Sequence, residues 1–131
     1  MELVVCAVRV DKHLPSVSPS LKAGKDVIVE WPLAKNLAEA ETLLHLSKNH
    51  GVKRTAVGLQ GRFAPVIWKL KDLIREGRIG KVLSSTWTGS AGNGGPTESE
   101  NLKYLGDKDV GANLVTVHFG HVVDYVQQGE L

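Results

Sequence analysis

Glu30, Trp31 and Pro32 close an apolar strand-like run with a carboxylate, an aromatic ring and a fixed turn in immediate succession. Open α/β sheets place their ligand chemistry at such strand ends, where polar residues meet a crevice. A carboxylate at Glu30 otherwise needs solvent or a cation, so its position reads as ligand-facing. A second group, His118, His121 and Asp124, recurs at a spacing of three. On a helix that spacing lets His121 act as a lone base with Asp124 as its carboxylate partner. As a metal pair the two histidines lack a third ligand at good spacing, so no metal is expected, and satisfied or substrate-facing histidines are the expectation. Arg62, two residues after Gln60, has two readings: a contact for an anionic or polyol substrate, or an exposed cap on the sheet edge.

The elements that must position these residues follow from the hydrophobic pattern. Leu3 to Val8 is almost continuously apolar, the pattern of an interior strand covered on both faces. Pro15 to Ala23 reads as a short helix closed by Gly24, and Asp26 to Glu30 as the next strand, which completes a β-α-β unit. Asn36 caps the following helix with Glu39 at the reciprocal position; Leu37, Ala40, Leu44 and Ser47 form its apolar stripe, and Gly51 stops it. Thr55 to Leu59 gives a third strand. Pro65 opens a helix whose Val66, Ile67, Leu70, Leu73 and Ile74 are expected to be buried before Gly77 ends it.

From Lys81 the period changes to two, with Val82, Ser84, Thr86 and Thr88 alternating with Leu83, Ser85 and Trp87, so a strand of a different sheet is expected there. Gly89 to Ser99 reads as a loop, and Gly111 to Gln127 as a helix. The expected class is therefore α/β: a partial Rossmann-like parallel sheet over residues 1–80, leading over residues 81–131 into the start of a second α/β domain.

Composition narrows the function classes. The 131 residues carry a formal charge of +2 with acids and bases interspersed, which leaves no basic stripe for direct nucleic-acid binding. No apolar stretch approaches membrane-spanning length, and Glu2 precedes the first apolar run, unlike a signal peptide. Cys6 lies within an apolar run and reads as a buried, inert thiol. The expectation is a soluble cytoplasmic protein, nuclear if it is a regulator.

The order of motifs carries a resemblance. Ala23-Gly24-Lys25-Asp26-Val27-Ile28-Val29-Glu30-Trp31-Pro32-Leu33-Ala34, Asn36 with Glu39-Ala40, Gly58-Leu59-Gln60-Gly61-Arg62-Phe63-Ala64-Pro65, and Ile74 to Val82 together resemble the glucose-fructose oxidoreductase, inositol dehydrogenase and MocA family. Trp31 after the glutamate and His118-Phe119-Gly120-His121 resemble the branch containing the fungal galactose-regulon repressor. The resemblance runs from Leu3 to about Gly129. It implies a Rossmann domain followed by an α/β domain whose sheet covers a nicotinamide, with NAD or NADP as cofactor and a small polyol or sugar-like ligand. It also implies a homo-oligomer or a regulatory protein partner.

Carried onto these positions, the resemblance makes His13, Glu30, Trp31, Pro32 and Gln60 cofactor-binding, His121 catalytic, and Arg62, His118 and Asp124 substrate-binding. It also suggests a cis bond before Pro32. His13 has an alternative reading, the start of a helix. Trp31 either stacks on the nicotinamide or caps the sheet and packs on the following helix. The family's Glu-Lys-Pro lysine is replaced by Trp31, and aligning His121 with the family's histidine puts Val117 at the position of its partner aspartate. No G-x-G-x-x-G occurs in the sequence. These departures argue against unaided catalysis and against cofactor binding by this chain alone, and they read as truncation at both ends. Three functions are weighed on this basis. One is an incomplete NAD(P)-binding oxidoreductase-family protein; another is a cofactor-sensing regulator or protein-interaction module; the third is a gene-model fragment without function.

Overall fold

Runs of β-branched residues that alternate with helices build a parallel sheet, because each crossover must return the chain to the same edge before the next strand starts. The computed structural model describes residues 2–89, 97 and 99–128. Strands β1 (Leu3–Cys6), β2 (Asp26–Glu30) and β3 (Thr55–Gly58) form a parallel sheet in that order. Val4 pairs with Val27 and Cys6 with Val29, while Ile28 pairs with Ala56 and Glu30 with Gly58. Helices α1 (His13–Lys22) and α2 (Leu37–Asn49) make the crossovers. Cys6, Val17, Leu21, Val27, Val29 and Leu43 are the buried cluster between sheet and helices.

The central strand is β2, which corrects the reading of Leu3 to Val8 as interior. β1 is at the sheet edge among the described residues, and Leu3 and Val5, which alternate with the inward-facing Val4 and Cys6, are 58% and 62% exposed. Asp26, at the start of β2, is buried and ties β2 to the approach of β3. Its Oδ1 accepts from the Arg54 amide at 3.1 Å, and its Oδ2 accepts from Arg54 Nε and Nη2 at 2.9 and 2.8 Å.

The Arg54 guanidinium, through its hydrogen bond, holds the Asp26 carboxyl below the ordinary carboxylate range, against the opposing effect of desolvation. A folded-state value below the unfolded one stabilises the fold fully above the unfolded value of about 4, and that stabilisation is lost as pH falls through the folded value. Thermal unfolding followed across acid pH is therefore expected to show a melting temperature that drops below about pH 4. Asp26→Asn should lower the melting temperature at neutral pH and flatten this acid limb; an unchanged acid limb would assign it to other carboxylates.

Local signals are realised closely where they are chemical and less so where they depend on packing. Asn36 Oδ1 accepts from the Glu39 amide at 2.9 Å, capping α2. The Glu39 carboxylate pairs with Lys35 at 3.0 Å, so the capping box is half made. The buried face of α2 is Leu43 and Ser47; Leu37 and Leu44 of the expected stripe are exposed, because the helix turns a neighbouring face to α1. Helix α3 (Pro65–Arg75) starts at Pro65 as expected, but none of its residues is buried, and Val66 is 71% exposed. Residues 82–88 form no strand, since no neighbouring strand among the described residues offers a ladder. Most of the expected loop from Gly89 to Ser99 lies outside the described residues.

Two short 3-10 segments, Glu100–Gly106 and Lys108–Val110, lead into α4 (Leu114–Gln128). Asn113 and Thr116 start this helix reciprocally: Asn113 Oδ1 accepts from the Thr116 amide at 2.9 Å, and Thr116 Oγ1 accepts from the Asn113 amide at 3.0 Å. Val110 and Ala112 bury themselves against Val10, with Tyr104, Leu105 and Val117 around them. This second cluster brings α4 to the carboxyl ends of the strands.

Candidate functional site

Where the three parallel strands end, the chain segments that follow them enclose a cleft of about 250 Å³. The segment after β1 supplies Val8 and Arg9, the end of β2 supplies Glu30, Trp31 and Pro32, and the end of β3 supplies Gly58 and Gln60. Tyr104 and Val117 close the far side, with His121 from α4. This is the crevice that an open parallel sheet offers a ligand.

His13 is only 1% exposed and faces two carbonyls. Its Nε2 is 2.8 Å from Val8 O and its Nδ1 is 3.1 Å from Leu33 O. A neutral imidazole donates to one of these oxygens; only the imidazolium donates to both. Either way the ring joins the loop after β1 to the loop after β2. His13 also begins α1 and lines the cleft, so both readings of it are placed at one point.

The peptide bond between Trp31 and Pro32 is cis. The indole leans on α4, where Trp31 Nε1 donates to Thr116 O at 3.0 Å. Gly120 makes this approach feasible, because a Cβ there would overlap Nε1, Cε2 and Cζ2 of the indole. Those three atoms lie along one edge of the ring. Trp31, seated on α4 by this edge, also lines the cleft. Capping by packing on a helix and stacking toward a ligand are thus geometrically compatible.

Glu30 is exposed at the cleft rim, and Gln60 lines the cleft from the turn that follows the neighbouring strand β3. His121 reaches the cleft together with Val117, one helical turn earlier, whereas His118 is not among the cleft-lining residues. Arg62 and Asp124 bind each other bidentately, with Nε to Oδ2 at 2.9 Å and a second bond from Nη2 to Oδ1. Both lie outside the cleft lining. The pair joins the Gln60–Phe63 turn to α4 from positions 62 residues apart. Asp124 therefore orients Arg62 in this structure rather than His121. Among the described residues no three His, Cys, Asp or Glu side chains are placed to hold a metal ion.

Three members of this neighbourhood were not expected from the sequence. Arg9 holds Asp11 through Nε at 2.6 Å and Nη2 at 2.8 Å and lies 5.6 Å from the centre of the Tyr104 ring. Tyr104 belongs to a 3-10 segment with no strong local signal. Gly120 carried a signal that composition alone could not place, since glycine inside a helix costs stability and needs a packing reason.

The lining combines an aromatic face, an exposed carboxylate, a primary amide and an imidazole around a cleft partly walled by valines. It suits a planar ring with a carboxamide-like polar edge.

Comparison with known proteins gives the family of the chain. Residues 1–59 match the model of an oxidoreductase family with an NAD-binding Rossmann fold, GFO_IDH_MocA, and residues 65–129 match the Gal80p C-terminal domain. The dehydrogenase aclE of Aspergillus oryzae is 38% identical over 95% of this chain and 33% of its own length. The galactose/lactose metabolism regulatory protein GAL80 of Saccharomyces cerevisiae is 36% identical over 97% of this chain and 31% of its own. The crystal structure of a super-repressor mutant of Gal80p from Saccharomyces cerevisiae superposes with a TM-score of 0.79 at 33% identity, covering 98% of this chain and 35% of that one. The chain thus spans about a third of the length of the curated relatives it matches. With an NAD-binding Rossmann segment followed in order by a Gal80p-like segment, the chain belongs to the glucose-fructose oxidoreductase, inositol dehydrogenase and MocA family.

Proposed function

We propose that the cleft binds the nicotinamide half of NAD or NADP and that this chain does so without catalysing hydride transfer by itself. The observation that carries the reading is the convergence of Glu30, Trp31, cis-Pro32, Gln60 and His121 at the carboxyl ends of all three strands. The donor set fits the group: the Trp31 face receives the ring, and the Gln60 amide matches a carboxamide donor and acceptor. His13 holds the two loops that form the floor. Bound there, the cofactor would supply hydride chemistry. The protein side would need a proton carrier beside it, and Trp31 cannot exchange a proton at neutral pH. His121 is the lining imidazole that is not held between two carbonyls and could move a proton, with Val117 on the neighbouring turn where a carboxylate would orient it.

In this reading residues 1–80 form the cofactor-binding part and residues 81–131 begin the second domain. A polyol or sugar-like ligand beside the ring would be the one met by Arg62, His118 and Asp124, which lie outside the cleft lining. A regulatory role is the second reading, favoured by Trp31 and Val117 at the two catalytic positions and by the likeness to GAL80.

Titration calorimetry with NAD⁺, NADH, NADP⁺ and NADPH tests the binding claim. Saturable heat with at least one of them is expected, and a folded sample giving none with any would contradict it. A steady absorbance of reduced nicotinamide in the presence of polyols and aldoses is the expected result for catalysis.

A further inference from the structure

We propose that this cleft distinguishes the oxidation states of the nicotinamide ring and holds the oxidised, cationic ring more tightly than the reduced, neutral one. The inference rests on the reading of the cleft as a nicotinamide site. Its warrant is the charge balance of the lining. Arg9 is neutralised by Asp11, and its guanidinium is turned over Tyr104. Just beyond the lining, Arg62 is neutralised by Asp124 and Lys35 by Glu39. His13 turns both ring nitrogens to backbone carbonyls. Among the described residues, Glu30 alone of the charged lining side chains is exposed with no ion-pair partner.

Trp31, whose indole edge is fixed by Thr116 and Gly120, lines the same cleft. Indole is the strongest of the aromatic faces for a cation, and a carboxylate lining the same cleft adds a Coulomb attraction that a neutral ring does not feel. Where the family's motif has a lysine, a cation would repel the oxidised ring; the indole removes that repulsion and replaces it with attraction. Replacement of the lysine therefore does more than remove a proton-transfer aid. It changes which redox state the site favours.

Nicotinamide mononucleotide in its oxidised and reduced forms is the appropriate probe pair. Phosphate and ribose are common to both, so the ratio of affinities isolates the ring. Calorimetry on the full 131-residue chain, at about pH 8 where a histidine side chain is ordinarily neutral, should give a Kd roughly tenfold lower for the oxidised form. Glu30→Gln should cut that ratio severalfold, chiefly by weakening the oxidised form, and as an exposed isosteric change it leaves folding intact. Trp31→Leu should weaken both forms. Equal affinities, or tighter binding of the reduced form, would overturn redox discrimination while leaving the nicotinamide site standing. Failure of both forms to bind would overturn the site itself and the inference with it.

Discussion

Gly120→Ala is expected to destabilise the fold by about 1–3 kcal/mol, although helix propensity alone predicts a gain of about 1 kcal/mol for that change. The added Cβ would overlap the Nε1 edge of Trp31. The indole cannot simply swing aside without giving up the bond from its N–H to Thr116 O. Overpacking of this kind costs about 1–3 kcal/mol, and loss of the Trp31–Thr116 hydrogen bond adds about 1 kcal/mol. Together they outweigh the propensity gain. A double-mutant cycle makes the explanation specific: once Trp31→Ala has removed the indole, Gly120→Ala should become stabilising. Denaturant titration of the four proteins reads the sign directly. A stabilising Gly120→Ala in the presence of Trp31 would show that the indole does not seat on α4.

His13→Ala carries an effect of about 3 kcal/mol. The part-buried carbonyls of Val8 and Leu33 then lose the ring they face, which in its neutral form donates to one of them. Each unsatisfied buried group costs about 1–3 kcal/mol, and the space left by the ring adds to the loss. His13→Gln, which keeps a donor, should recover a substantial part of it. The same change should weaken nicotinamide binding, since the loops joined by His13 present Arg9 on one side and Glu30 to Pro32 on the other. A His13→Ala protein as stable as the parent would mean that water or backbone movement satisfies both carbonyls.

The sequence made the local chemistry legible. Asn36 as a cap and Pro65 as a helix start reflect side-chain and backbone preferences that act within a few residues. Gly24, Gly51 and Gly77 have positive φ at the three helix ends where glycine was expected to stop the chain. The parallel β-α-β order followed from the same signals, and with it the placement of Glu30 to Pro32 at the crevice. What depended on distant partners was not legible. The buried face of α2 was misplaced by about a quarter turn, because Leu43 and Leu44 are equally apolar and only α1 decides between them. The α3 stripe is regular, yet nothing among the described residues buries it. Val82 to Thr88 alternates like a strand, but alternation supplies no neighbour to pair with.

The site shows the same division. His121 and Gln60 could be assigned to a ligand crevice from motif order, and both line it. The partnership of Arg62 with Asp124 spans 62 residues, so two side chains each suited to a substrate are instead engaged with one another. Gly120 and Trp31 are 89 positions apart, and only their contact explains why a helix tolerates glycine at that point. Sequence spacing reports what a residue offers; the fold decides to what it is offered.

The central claim is that a nicotinamide ring lies against Trp31 in the cleft. The chain has three tryptophans, each with one indole N–H. Of these, Trp31 lines the cleft, whereas Trp68 on α3 and Trp87 are exposed elsewhere. A titration of ¹⁵N-labelled protein with oxidised nicotinamide mononucleotide, followed through these three indole resonances, tests the claim most directly. A saturable shift of the Trp31 resonance with those of Trp68 and Trp87 unmoved is the predicted result. A Trp31 resonance that stays in place while the nucleotide saturates the protein elsewhere, or that never moves at all, would contradict it.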